Sequence, residues 1–196
     1  VSFPLFSSAS HDKPRLKRWV RLAVRSSMLI CAPTMIGLAV LATPIMELVF
    51  GSQWLPAVPI LQVLCCIGFF WPLHVINLNV LQAQGHSKLD FRLSIAKKTT
   101  GVVLLVIGSF FGIMGVAWSR VVQSIIGLAI NGHYSRKLLN YGIHEQIWDC
   151  MPSLLLSISM GVVVILCDRS LAIGGFTELG LLVLVGVAFY LVANLL

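Results

Sequence analysis

Long apolar runs that alternate with short basic segments constrain this chain more than any other feature of its sequence. The first full run covers residues 26–50, about 25 positions, and a helix needs about 20 apolar residues to cross the hydrocarbon core of a bilayer. It directly follows residues 11–25, which hold six of the chain's fourteen Lys and Arg residues against one acid, Asp12. Because positive charge is retained on the cytoplasmic side during insertion, the pattern predicts a transmembrane helix whose N-terminal end faces the cytoplasm.

The composition favours a membrane-embedded chain. Hydrophobic residues make up 58% of the sequence and charged residues 11%, and the mean hydropathy is +0.93. Soluble domains carry about 25% charged residues. The formal net charge of +7 would suit a nucleic-acid-binding protein, but the positive residues lie in connecting segments and leave the apolar runs nearly bare. We therefore predict an all-α, polytopic membrane helix bundle without a nucleic-acid partner.

Three basic segments organise the apolar runs into six predicted transmembrane helices. Twelve of the fourteen positive residues lie in these segments, and the other two are Arg120 and Arg169. The basic segments are residues 11–25, 85–98 and 133–149. The predicted spans are residues 26–50, 56–81, 95–111, 113–132, 151–167 and 179–196. The alternation predicts that both ends of the chain lie on the cytoplasmic side.

The sequence lacks the motifs of common catalytic sites. It has no phosphate-binding glycine-lysine loop, no HExxH or CxxC metal pattern and no nucleophile elbow. The five cysteines show no metal-ligand spacing, and of the seven acids only Glu47 lies within a predicted span. We therefore predict no enzyme activity, no cofactor and no metal. The chain opens on Val1 and stops within an apolar run, so we expect a fragment of a longer protein.

Arg120 is the leading candidate for a functional residue because it lies about seven positions into the fourth predicted span. A charged side chain at such depth costs about 2.5 kcal/mol or more and normally faces a bundle interior or a wet cavity. A helical wheel places a polar seam within about 60° of Arg120 and an apolar face opposite it. The seam consists of Gln123, Ser124, Gly127 and Asn131, and the apolar face of Trp118, Val122, Ile125 and Ala129.

Two interpretations of this seam remain open. In the first, the seam lines a hydrated passage, and Arg120, Gln123, Ser124 and Asn131 bind an anionic cargo. In the second, the seam is structural, and Arg120 either snorkels to the outer interface or pairs with an acid such as Glu47.

Two residues in other spans are candidates for ion coupling. Glu47, near the outer end of the first span, is either a proton or ion site or an interfacial acid. His74, in the second span, is either a proton relay or a hydrogen-bonded packing residue. Small residues recur every four positions on the last two spans and predict packing faces. These are Ser153, Ser157 and Gly161, and Gly186, Tyr190 and Asn194.

Several short motifs follow one another in an order and spacing typical of one family. They are Pro4, Ser7-Ser8, Asp12-Lys13, Pro33, Gly37, Ala42, Pro44, Leu48-Val49-Phe50-Gly51, Trp54, Ala57, Leu81, Ala83, Gly85 and Gly112-Ile113-Met114-Gly115-Val116-Ala117. Together they resemble the second half of polysaccharide exporters of the MOP superfamily, such as the Wzx-like O-antigen and colanic acid flippases. The same superfamily contains lipid II flippases and MATE drug antiporters. The resemblance covers about residues 1–131.

The resemblance implies two six-helix lobes with appended helices around a cationic cavity. Such a transporter moves an undecaprenyl-diphosphate-linked oligosaccharide across the bacterial inner membrane in lipopolysaccharide or exopolysaccharide biosynthesis. Residues 1–131 would then form the second lobe, and residues 132–196 a cytoplasmic loop plus two appended helices. Arg120 becomes the candidate for the diphosphate. The expected partners are the lipid-linked oligosaccharide, the bilayer and a missing N-terminal lobe, without which this fragment should not transport.

Three alternatives compete with the flippase hypothesis. A MATE-like cation antiporter would need intramembrane acids, whereas the clearest intramembrane charge is Arg120. A membrane-embedded polysaccharide polymerase or glycosyltransferase would need a large outer loop or an acid-rich inner loop, and no predicted loop exceeds about 18 residues. A structural membrane subunit without transport is the third.

Overall fold

The computed structural model of the chain describes Phe6 and residues 12–85, 87–170 and 175–195. The motif residues Pro4, Ser7 and Ser8 lie outside the described residues. The described part contains six long helices and no strand, so the predicted all-α class is confirmed. The helices are α1 (Lys13–Val40), α2 (Val58–Ala83), α3 (Ser87–Ser109), α4 (Gly112–Leu139), α5 (Ile143–Ser170) and α6 (Gly175–Leu195).

The first predicted span, residues 26–50, is not one continuous helix. Helix α1 ends at Val40, and a short α-helix (Ala42–Ile45), a π-helical turn (Met46–Phe50) and a 3-10 helix (Ser52–Ala57) follow. Pro44 explains the break, because it has no N–H to donate to the carbonyl of Val40 four positions earlier.

Five helical stretches within the described residues are long and apolar enough to cross a membrane, so the predicted count of six is corrected. The helix that does not qualify is α3. Its first half carries Lys88, Asp90, Arg92, Lys97 and Lys98, which leave too short an apolar stretch. The class of polytopic membrane helix bundle is confirmed.

The predicted cytoplasmic loop after residue 132 is helical except for residues 140–142. Helix α4 continues to Leu139, and Asn140 caps it in the left-handed conformation with a φ of 52° and an N–H bond of 2.8 Å to the Arg136 carbonyl. Asparagine tolerates this conformation better than most residues. Helix α5 begins at Ile143, eight positions before the predicted start of the fifth span at residue 151, so Pro152 lies inside a helix.

The chain forms two compact units, residues 1–28 with 70–151 and residues 29–69 with 152–196. In the second unit, Leu41, Val164 and Leu182 form a buried apolar cluster. A Cβ at Gly161 would lie 3.1 Å from Ile36, and one at Gly186 would lie 3.1 Å from Val164. These approaches support the predicted packing stripes.

The hydroxyl of Tyr190 donates to the Leu29 carbonyl at 2.9 Å, which adds a polar contact to the packing of α6. Ser153 and Ser157 are buried, as the stripe on α5 predicts. Asn194 is exposed, so its assignment to a packing face is wrong. It lies in the last turn of α6, where the described helix ends.

Candidate functional site

Helices α3 and α4 form a tight antiparallel hairpin in the first unit, and glycines allow their close approach. Phe110 and Phe111 make the turn, and Gly112 follows with a φ of 72°. A Cβ added at Gly115 would collide with the carbonyl oxygen of Gly108, and one at Gly101 would collide with the Gln123 amide. Side chains with a Cβ would therefore separate the helices, so the glycines bring the polar groups of α3 and α4 together.

Four polar side chains from α2, α3 and α4 form one connected network. Lys97 Nζ donates to Asn131 Oδ1 at 2.9 Å, and His74 Nε2 lies 2.9 Å from Ser124 Oγ. A longer contact of 3.5 Å joins Asn131 Nδ2 to His74 Nδ1. Gly127 leaves room for the ring, because a Cβ there would lie 3.3 Å from His74 Cε1. The network satisfies buried polar atoms that would otherwise be unpaired.

Arg120 connects to this network through Gln123. Arg120 Nη1 donates to Gln123 Oε1 at 2.6 Å, and Gln123 Nε2 donates to the backbone carbonyl of Lys97 at 3.3 Å. The Arg120 side chain is exposed, and no described carboxylate lies within ion-pair distance of it. Gln123 therefore holds one nitrogen of the Arg120 guanidinium in place. No described carboxylate neutralises the charge of this guanidinium.

The predicted two-sided character of α4 is confirmed. The apolar face is open, with Trp118 53%, Val122 43% and Ile125 51% exposed. Ser124 and Asn131 are buried and bonded to α2 and α3, which matches the structural alternative for these two residues. Arg120 is the member of the seam whose side chain is exposed.

Of the two ion-coupling candidates, His74 joins the network and Glu47 does not. Glu47 lies in the second unit, exposed in the π-helical turn. It lines a cavity of about 360 Å³ that also contains the carboxylates of Asp168 and Glu178. His74 is the candidate whose surroundings include a cation, Lys97, and two hydrogen-bonding side chains.

Lys97 was not among the predicted site residues, because it lies in the basic segment 85–98, at the start of the third predicted span. A usable signal was present. Lys97 and Gly101 lie four positions apart on one face of α3, a spacing that places a long side chain and a close helix approach together.

A second polar cluster joins α1 to α5 and was also missed. Lys17 Nζ lies 2.8 Å from Glu145 Oε2, and Arg21 binds both Glu145 and Asp149, at 3.0 and 2.8 Å. Arg25 Nη2 lies 2.6 Å from Asp149 Oδ1. Both sets recur every four positions, so each forms one stripe along its helix. We refer to these five residues as the α1–α5 ion cluster.

Tyr141 completes the α1–α5 ion cluster from the short connection between α4 and α5. Its ring is fully buried, its hydroxyl donates to Asp149 Oδ2 at 2.9 Å, and Lys17 and Arg21 lie 5.8 and 5.7 Å from the ring centroid. Burial raises the pKa of Tyr141 above its usual range, and the hydrogen bond to the Asp149 carboxylate raises that pKa further. The hydroxyl therefore stays protonated and acts as a donor.

Beside Tyr141, two buried amides pair with each other. Asn77 Nδ2 donates to Gln146 Oε1 at 2.9 Å, and Gln146 Nε2 donates back to Asn77 Oδ1 at 3.0 Å. This reciprocal pair fixes α2 against the start of α5 and satisfies both amides without water.

The structure is that of a multi-pass α-helical membrane protein. Comparisons with known proteins show which proteins of this class the chain is similar to. A family model described as "Polysaccharide biosynthesis protein" matches residues 1–59. The chain is 27% identical over 169 residues to the teichuronic acid biosynthesis protein TuaB of Bacillus subtilis, across 83% of this chain. It is 24% identical over 173 residues to the lipopolysaccharide biosynthesis protein WzxC of Escherichia coli, across 84% of this chain.

The fold has a solved counterpart. The lipid II flippase MurJ, in an inward closed conformation, matches with a TM-score of 0.79 at 23% identity over 99% of this chain and 41% of that chain. The chain spans 34% of the length of TuaB and 35% of WzxC. These comparisons confirm the resemblance to polysaccharide flippases of the MOP type and the assignment as a multi-pass protein of the bacterial inner membrane.

Proposed function

We propose that this chain is the C-terminal part of a transporter that moves an undecaprenyl-diphosphate-linked oligosaccharide across the inner membrane during polysaccharide biosynthesis. The observation that carries the proposal is the sequence similarity to polysaccharide biosynthesis proteins over most of the chain, in relatives about three times its length. A longer protein would supply the N-terminal lobe, as the resemblance implies. In this proposal the protein transports its substrate and catalyses no covalent step.

Within this proposal, Arg120 receives the diphosphate. It is exposed and held by Gln123, and no described acid competes with a ligand for its guanidinium. A planar guanidinium suits phosphate oxygens because it presents paired N–H donors. Gln123 orients Arg120, whereas the buried Ser124 and Asn131 hold His74 and Lys97 in place and do not touch the cargo.

Ion coupling belongs to the same proposal, with His74 as the stronger candidate. Its two ring nitrogens face Ser124 and Asn131, so a change in protonation would change hydrogen bonds on both sides of the ring. Glu47 is the alternative, since an exposed carboxylate in a cavity can bind a cation or a proton.

The test is complementation of an exporter-null strain by the full-length protein, scored as surface polysaccharide per amount of membrane-inserted protein. Arg120→Ala should reduce the signal roughly tenfold or more, because a charge-assisted hydrogen bond is lost. Arg120→Lys should restore part of it, since the charge remains and the paired donors do not. Arg169→Ala is the matched control, as it removes another exposed arginine, and should have no effect. Wild-type export by Arg120→Ala would refute the assigned role of Arg120.

A further inference from the structure

A basic pocket of about 490 Å³ lies in the first unit, where the start of α1 meets the end of α4. Helix α1 contributes Lys13, Pro14 and Lys17, and α4 with its cap contributes Arg136, Lys137 and the residues up to Asn140. None of the described lining residues is acidic. The pocket therefore concentrates four cationic side chains around one concave surface.

Three of these four cations lack an ion-pair partner among the described residues. The fourth, Lys17, also belongs to the α1–α5 ion cluster, where its Nζ lies 2.8 Å from Glu145 Oε2. Lys13, Arg136 and Lys137 form no ion pair with any described residue, and the sequence of residues 1–11, 86 and 171–174 contains no Asp or Glu. An anion that enters the pocket would thus meet three cations that form no ion pair with a described carboxylate.

Backbone contacts give the pocket a defined shape. Lys17 Nζ donates to the Asn140 carbonyl at 2.6 Å, which ties α1 to the cap of α4. Gly142 lies under the stem of Arg136, because a Cβ at Gly142 would lie 3.3 Å from Arg136 Cδ. The short connection between α4 and α5 thereby positions Arg136 at the rim.

Helix length and aromatic placement put the pocket at the depth of lipid headgroups. Helices α1 and α4 each have 28 residues, about 42 Å at 1.5 Å per residue, whereas the hydrocarbon core is about 30 Å thick. Trp148, 64% exposed, lies near the same end of α5. Exposed tryptophans concentrate at the membrane interface.

We propose that this pocket binds the phosphate of an anionic phospholipid in the leaflet that the basic helix ends face. Lysine and arginine clusters beside transmembrane helices attract anionic headgroups, and pockets between helix ends can hold them. The site is separate from Arg120 and does not depend on the transported cargo. A lipid bound in this pocket would hold the start of α1 against the end of α4. It would thereby add to the hydrogen bond that Lys17 Nζ donates to the Asn140 carbonyl.

The experiment measures binding of short-chain phosphatidylglycerol to the purified full-length protein in neutral detergent. The pocket variant is K13Q/R136Q/K137Q. The matched control, K88Q/R92Q/K98Q, removes the same number of charges from exposed positions on α3. We expect the pocket variant to bind at least about tenfold more weakly and the control to stay within about twofold of wild type. Equal losses in both variants, or no loss in the pocket variant, would overturn the proposal.

Two measurements on the wild-type protein keep the proposal testable if the triple variant does not fold. Raising NaCl from about 0.1 to about 0.5 M should weaken phosphatidylglycerol binding severalfold, because salt screens the charges. Phosphatidylcholine should bind poorly, and soluble pyrophosphate should not displace phosphatidylglycerol at equal concentration. Salt-independent binding, or displacement by pyrophosphate, would contradict a lipid headgroup as the ligand.

Discussion

The α1–α5 ion cluster and the network around Lys97 use charge in opposite ways. In the ion cluster, three cations meet two carboxylates at 2.6 to 3.0 Å, and Tyr141 donates a further bond to Asp149. In the network, Lys97 and the attached Arg120 have only neutral hydrogen-bond partners among the described residues. Cations that are paired with carboxylates inside the protein hold its helices together, whereas a cation without such a pair is available to an anionic ligand.

The strongest test of this contrast is Asp149→Asn. The Asp149 side chain is only 5% exposed and binds Arg21, Arg25 and Tyr141, so the substitution leaves several partners without a charged acceptor. We expect the free energy of unfolding in detergent to fall by about 2–4 kcal/mol. A loss below about 1 kcal/mol would show that the α1–α5 ion cluster contributes little.

Tyr141→Phe should have a smaller effect, about 1 kcal/mol at neutral pH, because one hydrogen bond to Asp149 is lost. Since the pKa of Tyr141 is raised in the folded protein, the unfolded chain loses this proton first as the pH rises. The stability that Tyr141 contributes is therefore fully present below about pH 10 and declines above it. The difference between wild type and variant should shrink above that pH, and a constant difference would contradict the assignment.

Glu145→Gln sharpens the comparison within the α1–α5 ion cluster. Its side chain is 37% exposed, so solvent screens its contacts with Lys17 and Arg21. We expect a loss below about 1 kcal/mol in the same unfolding measurement, since exposed ion pairs contribute little. A loss as large as that of Asp149→Asn would mean that the exposed fraction of each side chain does not determine how much Glu145 and Asp149 contribute to stability.

Lys97→Met should change stability least, by within about 1 kcal/mol. Methionine keeps a flexible apolar stem of similar reach and removes the desolvation of a half-buried cation that forms no ion pair with a described residue. It also removes the hydrogen bond that Lys97 Nζ donates to Asn131 Oδ1. Lys98→Met, at an exposed neighbouring position, is the control. A loss of several kcal/mol specific to Lys97→Met would make the network as structural as the α1–α5 ion cluster.

The sequence predicted local features of the helices well, because each depends on one segment. The two faces of α4 followed from the period of a single helix, and Trp118 and Ser124 lie on the predicted sides. Contacts between distant segments were not predictable in the same way. Lys17 and Glu145 are 128 positions apart. Both lie in basic segments that were predicted to lie outside the spans, whereas in the structure both lie in helices.

The candidate site was partly predictable for the same reason. Arg120, Gln123, Ser124 and Asn131 share one helix, so their alignment could be derived from the sequence. The burial of Ser124 and Asn131 could not, because it depends on His74 and Lys97 from two other helices. The sequence placed Lys97 in a basic connecting segment, whereas the close approach of α3 and α4 at their glycines brings it to Asn131.

The most direct test of the central claim is translocation of a fluorescent undecaprenyl-diphosphate-linked oligosaccharide by the full-length protein in proteoliposomes. We expect wild type and Arg169→Ala to translocate the lipid at equal rates and Arg120→Ala to be roughly tenfold slower or worse. Equal rates for Arg120→Ala and wild type would contradict the role of the unbalanced guanidinium, and no translocation by the wild-type protein would contradict the proposed transport itself.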